Sequence, residues 1–394
     1  MSEPAGSLGD AEAFSHRALL AYFLRLGTLG FGGPIVLSEH MERDLVQERR
    51  WITPQEFKEG FALAQLAPGP LAAQLAIYLG WARAGVTGAI TVGLAFIGPS
   101  FLMVLVLAML YVRFGGLAWI QGAFYGISAA VIAIIARSAI KLARKTIGRD
   151  VLLGALFAVS LVVTAWTESE VIWVVVASGV LTLIIKARPR LPRGPTPVVL
   201  VLVPTWLVSG LHGPAPLGLL WKVLWYFTEA GLFVFGSGLA IVPFLHGGVV
   251  QQYHWLTERQ FLDAVAVSMI TPGPVVITVA FIGYLAAGPL GAVLAALGVF
   301  APVLLVVVLV APYYHRFAQK PGVKAFVDGV TAAAIGAIAG AAFVLGRRAV
   351  IDLPTAVLFA ATLALLFVAK RIPEPVLLLV AGVVGVVIKT VGST

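Results

Sequence analysis

The stretch Gln65-Leu66-Ala67-Pro68-Gly69-Pro70-Leu71 interrupts an apolar run, 57–81, that would otherwise be long enough to cross a bilayer. A proline lacks the N–H a helix would use, collides with the carbonyl four residues back, and pushes the preceding residue out of the α region. Pro68-Gly69-Pro70 therefore ends one half-helix and starts another. The same break returns at Ile270-Thr271-Pro272-Gly273-Pro274-Val275, and Phe31-Gly32-Gly33-Pro34 upstream is answered at the same offset by Phe235-Gly236-Ser237-Gly238. The chain is a duplicated unit, and each copy carries two interruptions.

The register of the duplication holds well beyond the breaks. Trp51, Thr53 and Phe57 align with Trp255, Thr257 and Phe261; after a one-residue deletion Pro99 meets Pro302, Gly126 meets Gly329, and Arg144-Lys145 meets Arg347-Arg348. The chain has 394 residues, 60% of them hydrophobic and 11% charged, with a mean hydropathy of +0.99, which places it among polytopic membrane proteins. Short alternating strands, the mark of a transmembrane barrel, are absent from the pattern. The expected fold is all-α, with apolar segments at 17–38, 57–81, 86–112, 120–143, 151–167 and 171–186, then 220–245, 261–285, 288–313, 321–346, 354–369 and 375–391.

These segments divide the chain into a polar tail (1–16), a first transmembrane repeat (17–187), a Pro- and Arg-rich linker with one short extra helix (188–216), and a second repeat (217–394). Two six-segment copies joined directly would lie parallel. One extra crossing at 197–211 turns the second over, giving an inverted pair of thirteen segments. With the N-terminus inside, Lys and Arg favour the inner loops by about two to one. One loop dissents: Arg43, Arg49, Arg50 and Lys58 would face outward unless a broken segment re-enters instead of crossing.

In lipid the amides and carbonyls freed at a break need partners, so breaks survive where they are buried in protein or line a polar cavity. A restarted half-helix presents unpaired N–H groups and the positive end of its dipole, a setting for an anion. The expected binding residues are Gly32, Gly33 and Pro34; Pro68, Gly69 and Pro70; Gly236, Ser237 and Gly238; and Thr271, Pro272, Gly273 and Pro274. Gln65 and Gln74, with Ser268, Thr271 and Thr278, flank the Pro-Gly-Pro breaks and can donate hydrogen bonds to an oxyanion or cap freed backbone. Plain kinks and close helix packing through Gly are the structural alternative. Arg25 and its repeat equivalent Glu229 are ionisable residues inside apolar segments. Arg25 is expected to attract the anion and Glu229 to carry a coupling proton, or else the two form a static pair.

Other chemistry finds little support. The net charge of +9 comes from inter-helix clusters, as loops beside a membrane require, so no nucleic-acid partner is expected. Absence of cysteine excludes disulfides and thiol chemistry, the six His residues have no ligand spacing, and no nucleotide-binding loop is present. No metal, cofactor or catalytic residue is expected. Met1 to Ser15 lacks the pattern of a cleaved signal.

At Phe31-Gly32-Gly33-Pro34, Arg49-Arg50-Trp51-Ile52, Gln65-Leu66-Ala67-Pro68-Gly69-Pro70 and Gln74-Leu75-Ala76-Ile77-Tyr78-Leu79-Gly80 the sequence resembles the chromate ion transporter family. The second copy carries the likeness through Pro243-Phe244-Leu245, Trp255-Leu256-Thr257 and Thr271-Pro272-Gly273-Pro274. The resemblance covers about Leu20 to Ile388 and is to the long, two-domain form. It implies a bacterial inner-membrane protein that exports chromate from the cytoplasm and confers resistance, driven by the proton gradient or membrane potential. Leu71, Ala72 and Ala73 stand where that family usually has polar residues, and Ser237 where it usually has Gly, which leaves the choice between chromate and sulfate open. A passive oxyanion channel with the same lining is the alternative, an intramembrane enzyme acting on lipid is a further one, and a homodimer is left open as an assembly.

Overall fold

The computed structural model describes residues 14–168, 172–187, 217–232, 238, 241–313, 320–369 and 372–391, and among these the chain is helical without a strand. Helix α1 (His16–Leu29) starts at Ser15, whose side chain accepts the Ala18 N–H, and α2 (Gly33–Glu42) continues through a wide π-type turn, Arg43–Glu48. The two run antiparallel, because the Tyr22 hydroxyl donates to Asp44 Oδ2 at 3.3 Å. The chain thus reverses at Phe31-Gly32-Gly33, where Gly32 and Gly33 take φ of +114° and +77°, a region open mainly to glycine.

Helix α3 (Pro54–Leu66) opens with a complete capping box between Thr53 and Glu56, as the sequence leads one to expect. It meets the first part of α4 (Leu71–Phe114) in a second hairpin. Gly60 and Tyr78, each nine positions from Gly69, touch so closely that a Cβ on Gly60 would stand 2.2 Å from the Tyr78 ring. Pro68-Gly69-Pro70 is the tip of this hairpin. The chain reverses again inside α4, at Ala84 and Gly85, where the Gly80 and Gly88 backbones touch, and then runs straight through 86–114.

The segments 17–38 and 57–81, expected as crossings, are therefore re-entrant hairpins. Phe14 stacks on Trp51 at 4.8 Å, and the Arg83 guanidinium reaches the Trp51 carbonyl and, at 3.3 Å, the Glu56 carboxylate, so all the arms open on one face. The reason is length. An arm of 13 residues rises about 20 Å, short of the ~30 Å hydrocarbon layer, and glycine with positive φ turns the chain back. Arg43, Arg49, Arg50 and Lys58 consequently share the face of the first helix's start, and the dissenting loop disappears.

The second copy repeats the plan with α8 (Leu217–Leu232), α9 (Ile241–Leu245) and its π-type turn, α10 (Glu258–Ile270), and α11 (Thr278–Val310) with its reversal at Ala287 and Gly288. The remaining helices are α5 (Ala118–Ile147), α6 (Val151–Thr167) and α7 (Ile172–Thr182) in the first copy, and α12 (Pro321–Ala349), α13 (Leu353–Val368) and α14 (Glu374–Val391) in the second. They are exchanged between copies. Helices α6 and α7 pack on α12, where Gly336 lies against the Phe157 backbone, and α13 and α14 pack on α5, where Gly126 lies against the Ala381 carbonyl.

Contacts between the copies fix their relative sense. The Tyr111 hydroxyl, near the far end of α4, donates to Asp263 Oδ2 at 2.7 Å, and Arg259 donates to the Gln121 carbonyl at 3.4 Å. The start of α10 thus sits at the end of the molecule opposite Trp51 and Arg83, and the two copies are inverted. The linker 188–197 and the extra helix expected at 197–211 lie outside the described residues. Among the described residues five helices are long and apolar enough to cross a bilayer, in 71–114, 118–147, 275–313, 321–349 and 374–391. Phe23, Phe96, Phe227, Phe261 and Phe281 fill the interior, while Leu94, Leu102, Leu290 and Leu305 face outward as lipid-facing residues do.

Candidate functional site

The tips meet in the middle of the molecule. The Gly273 N–H, at the second Pro-Gly-Pro, donates to the Gly30 carbonyl at 2.8 Å, joining it to the first Phe-Gly-Gly-Pro. Ser100, midway along the straight part of α4, donates to the Gly27 carbonyl at 3.1 Å and lies against Gly273 so closely that a Cβ there would stand 1.9 Å from its Oγ. On the other side Gly69 presses on Val303, the repeat equivalent of Ser100. Each Pro-Gly-Pro tip rests on the midpoint of the other copy's long helix. Gly238 lies against Val276; Gly236 and Ser237 lie outside the described residues.

Side chains near the tips are occupied with nearby backbone, and among the described residues only Gln74 with carbonyls freed at a break. Gln74 is fully buried, and its Nε2 donates to the Pro68 carbonyl at 2.5 Å and the Ala67 carbonyl at 3.4 Å; its Oε1 has no partner among the described residues. Ser268 donates to the Val265 carbonyl, Thr271 to the Val267 carbonyl, and Thr278 to both the Val275 carbonyl and Ser268 Oγ. These hydroxyl protons are spent, so donors for an anion must come from backbone N–H groups where half-helices restart. Pro34, Pro68, Pro70, Pro272 and Pro274 have no N–H and act as breakers. Gln65 is exposed on α3.

Between the tips is a recess lined by Phe31, Gly32, Gly33, Thr271, Gly273 and Glu374, with about 20 Å³ of free space. That holds one water and is too small for a tetrahedral oxyanion, so the tips are closed on each other in this conformation. Glu374, in the first turn of α14, stands 3.7 Å from Arg137 of α5, putting an ion pair beside the recess. Sequence reasoning missed both, although Arg137 falls inside the apolar segment 120–143. Arg25 is instead exposed on the outer face of α1, beside Leu24 and Leu29, and Glu229 accepts a hydrogen bond from Trp225 Nε1 at 2.8 Å. No ion pair joins Arg25 to Glu229, which removes the static-pair alternative.

A larger cavity, about 520 Å³, lies at the end where α10 begins, lined by Gln121, Tyr125, Arg259, Asp263, Arg348 and Lys389 among others. Beside it Arg348 bridges Glu168 and Glu258, and His246 Nε2 lies 2.9 Å from Glu258 Oε2, tying the end of α6 to the opening of the second hairpins. Among the described residues no cluster of His, Asp and Glu is arranged to hold a metal ion.

The chromate transporter family matches residues 17–183 and 221–386, spans that run from α1 to α7 and from α8 to α14. The chain belongs to this family. It is 55% identical to a chromate transport protein of Cupriavidus metallidurans over 97% of this chain and 96% of that one. It is 50% identical to a probable chromate transport protein of Synechococcus elongatus, covering 95% and 96% of the two chains. A chromate transport protein of Pseudomonas aeruginosa is 32% identical over 94% of this chain and 92% of its own. No solved structure matches. As a member of the chromate transporter family the chain is a membrane protein of the ion-transporter class, and the two matched spans are its two inverted copies.

Proposed function

We propose that this protein is a secondary active transporter that exports chromate, or a similar tetrahedral oxyanion such as sulfate, from the cytoplasm. The supporting observation is the junction of Gly273 with Gly30, which brings breaks from oppositely oriented copies together at mid-depth and aims restarted half-helices at one recess. The substrate enters when the tips part, and backbone N–H groups of the restarted helices hold its oxygens in a setting where water is scarce. The face bearing Arg43, Arg49, Arg50 and Lys58 is cytoplasmic, with the N-terminus, by the positive-inside rule. The membrane potential, negative inside, drives a dianion outward, and a proton gradient adds to it.

Purified full-length protein in liposomes tests the reading. Chromate movement against its own gradient, stimulated by an imposed potential or pH difference, is expected; flux that runs only downhill would make the protein a channel. The closed, water-sized recess is evidence against a standing pore. Arg25→Ala and Glu229→Gln test whether the outer charges of α1 and α8 take part. Unchanged cellular chromate accumulation with a normally inserted variant removes that residue from the mechanism.

A further inference from the structure

Asp263 is the one acidic side chain among the described residues that is almost wholly buried, at 2% exposure. Its Oδ2 accepts the Tyr111 hydroxyl at 2.7 Å, and its Oδ1 has no partner among the described residues. It lines the 520 Å³ cavity, whose other walls include Ala118 at the start of α5, Ala349 at the end of α12, and Lys389 and Thr390 in the last turn of α14. A cavity walled by helix ends opens at that face. A carboxylate with an empty oxygen in so enclosed a place is costly as an ion when dry and acceptable when water reaches it. Such a group takes up and releases a proton as its surroundings open and close.

Its position also gives it a route to the recess. Asp263 sits on α10, the straight arm that ends at Thr271-Pro272-Gly273, so a change of packing at one end of the arm moves the tip at the other. The charged and titratable groups that face it come from each packed element: Tyr111 from α4, Tyr125 from α5, Glu258 and Arg259 from α10 itself, Arg348 from α12 and Lys389 from α14. Glu258 and Arg348 are engaged with each other, and Lys389 lies over the Tyr125 ring at 4.6 Å, which leaves Arg259 as the cation nearest in sequence, one helical turn away. The repeat equivalents of Asp263 and Tyr111 are Glu59 and Tyr314, again a carboxylate and a phenol, the latter outside the described residues.

We propose that Asp263, held by Tyr111, is the proton-binding residue through which transport is coupled, loaded from the face opposite the N-terminus through this cavity. The inference rests on the transporter reading above and moves the coupling role from Glu229 to Asp263. Proton binding stabilises the dry, closed packing of α10 against α4 and α5; proton release admits water and lets the second tip draw away from Gly30.

The test uses full-length protein in liposomes with two assays. Chromate counterflow, at equal pH on both sides, reports binding and exchange; chromate transport under an imposed pH difference reports coupling. Asp263→Asn is expected to keep counterflow within about twofold of wild type while losing about tenfold of the stimulation by the pH difference, with a flat pH profile. Tyr111→Phe is expected to retain coupling with a displaced pH profile, and it serves where Asp263→Asn fails to insert. Wild-type stimulation and an unchanged profile in either inserted variant would overturn the proposal. Absence of chromate counterflow in the wild type would instead overturn the transporter reading itself.

Discussion

At Gly69 the first Pro-Gly-Pro tip rests on Val303, and at Gly273 the second rests on Ser100; the backbones match, with φ of +133° and +99°, but the side chains around them do not. One amide, Gln74, serves the carbonyls freed at the first tip, and α4 starts immediately after Pro70. At the second, Thr271 and Thr278 donate to carbonyls, Val267 and Val275, that already accept backbone N–H groups, and a 3₁₀ turn, Val275–Ile277, precedes α11. Duplication conserved the break, which proline and glycine enforce, and left the repair free to diverge. Among the described residues the recess lies at the second tip, where the opposing helix offers a hydroxyl and the first Phe-Gly-Gly-Pro comes alongside.

The largest effect expected from this asymmetry is that of Gly273→Ala. Left-handed backbone costs about 1–2 kcal/mol for alanine and forced overpacking about 1–3 kcal/mol more, and the new Cβ would fall 1.9 Å from Ser100 Oγ. Gly69→Ala carries the same backbone cost, but its nearest neighbour, at 2.7 Å, is the flexible end of Gln74. Thermal unfolding in detergent should rank Gly273→Ala well below Gly69→Ala, and Ser100→Gly should restore part of the loss only to the former. The reverse ranking would mean that the first tip is the tighter junction.

Next in size is the difference in repair. Gln74→Leu leaves the Pro68 carbonyl without its donor inside the protein, a loss of about 1–3 kcal/mol. Thr278→Val should cost about 1 kcal/mol, because the Val275 carbonyl keeps the Thr278 backbone N–H. Denaturation in detergent measures both. Equal losses would show that the hydroxyl set acts as one unit.

The breaks themselves were legible because Pro and Gly act through their own backbones, and the repeat register was legible because it needs only identity at an offset. Hairpin against crossing was not. Both begin as apolar runs of similar length, and what separates them is positive φ at Gly32, Gly33 and Gly85, together with contacts such as Tyr22 with Asp44. The dissenting charges at Arg43, Arg49 and Arg50 were the sequence's own sign of it. Arg137, Glu374 and Asp263 were missed because their significance comes from the exchange of α13 and α14 onto α5 and of α10 onto α4, pairings that no local pattern encodes. Arg25 and Glu229 were chosen by repeat symmetry, which says where equivalent residues lie and nothing about which way they face.

A smaller effect concerns the charge beside the second recess. Glu374→Gln removes a negative group from its lining and leaves the Arg137 guanidinium, now 3.7 Å from the carboxylate, without its ionic partner. If the recess binds the oxyanion, the apparent KM for chromate should fall about fivefold, ~1 kcal/mol, with no comparable change for a carboxylate removed far from the tips, near the start of α3, such as Glu59→Gln. Unchanged KM would detach the ion pair from the recess.

The smallest expected effect compares the caps of the equivalent helices α6 and α13. Asp150 accepts the Leu153 N–H at 3.1 Å and pairs with Lys186, and the Lys186 hydrogen bond first, the helix N–H second, hold its carboxyl below the ordinary range. At Asp352 burial works in the other direction, and hydrogen bonds from the Tyr125 hydroxyl and from Thr355 overcome it, so that this carboxyl too is depressed. A carboxyl whose folded value is depressed stabilises above its ordinary value and loses that contribution as pH falls through the lower, folded one. Asp150→Asn should therefore cost a few tenths to about 1 kcal/mol at neutral pH, screened as a half-exposed pair is, and the gap to wild type should close on acidification. Salt separates the two caps. The partner of Asp150 is a cation, so its contribution should shrink as salt rises, whereas Asp352→Asn removes bonds from a neutral phenol and a neutral hydroxyl and should cost nearly the same at low and high salt. Equal salt dependence would mean that Lys389, which lies over the Tyr125 ring, supplies at Asp352 what Lys186 supplies at Asp150.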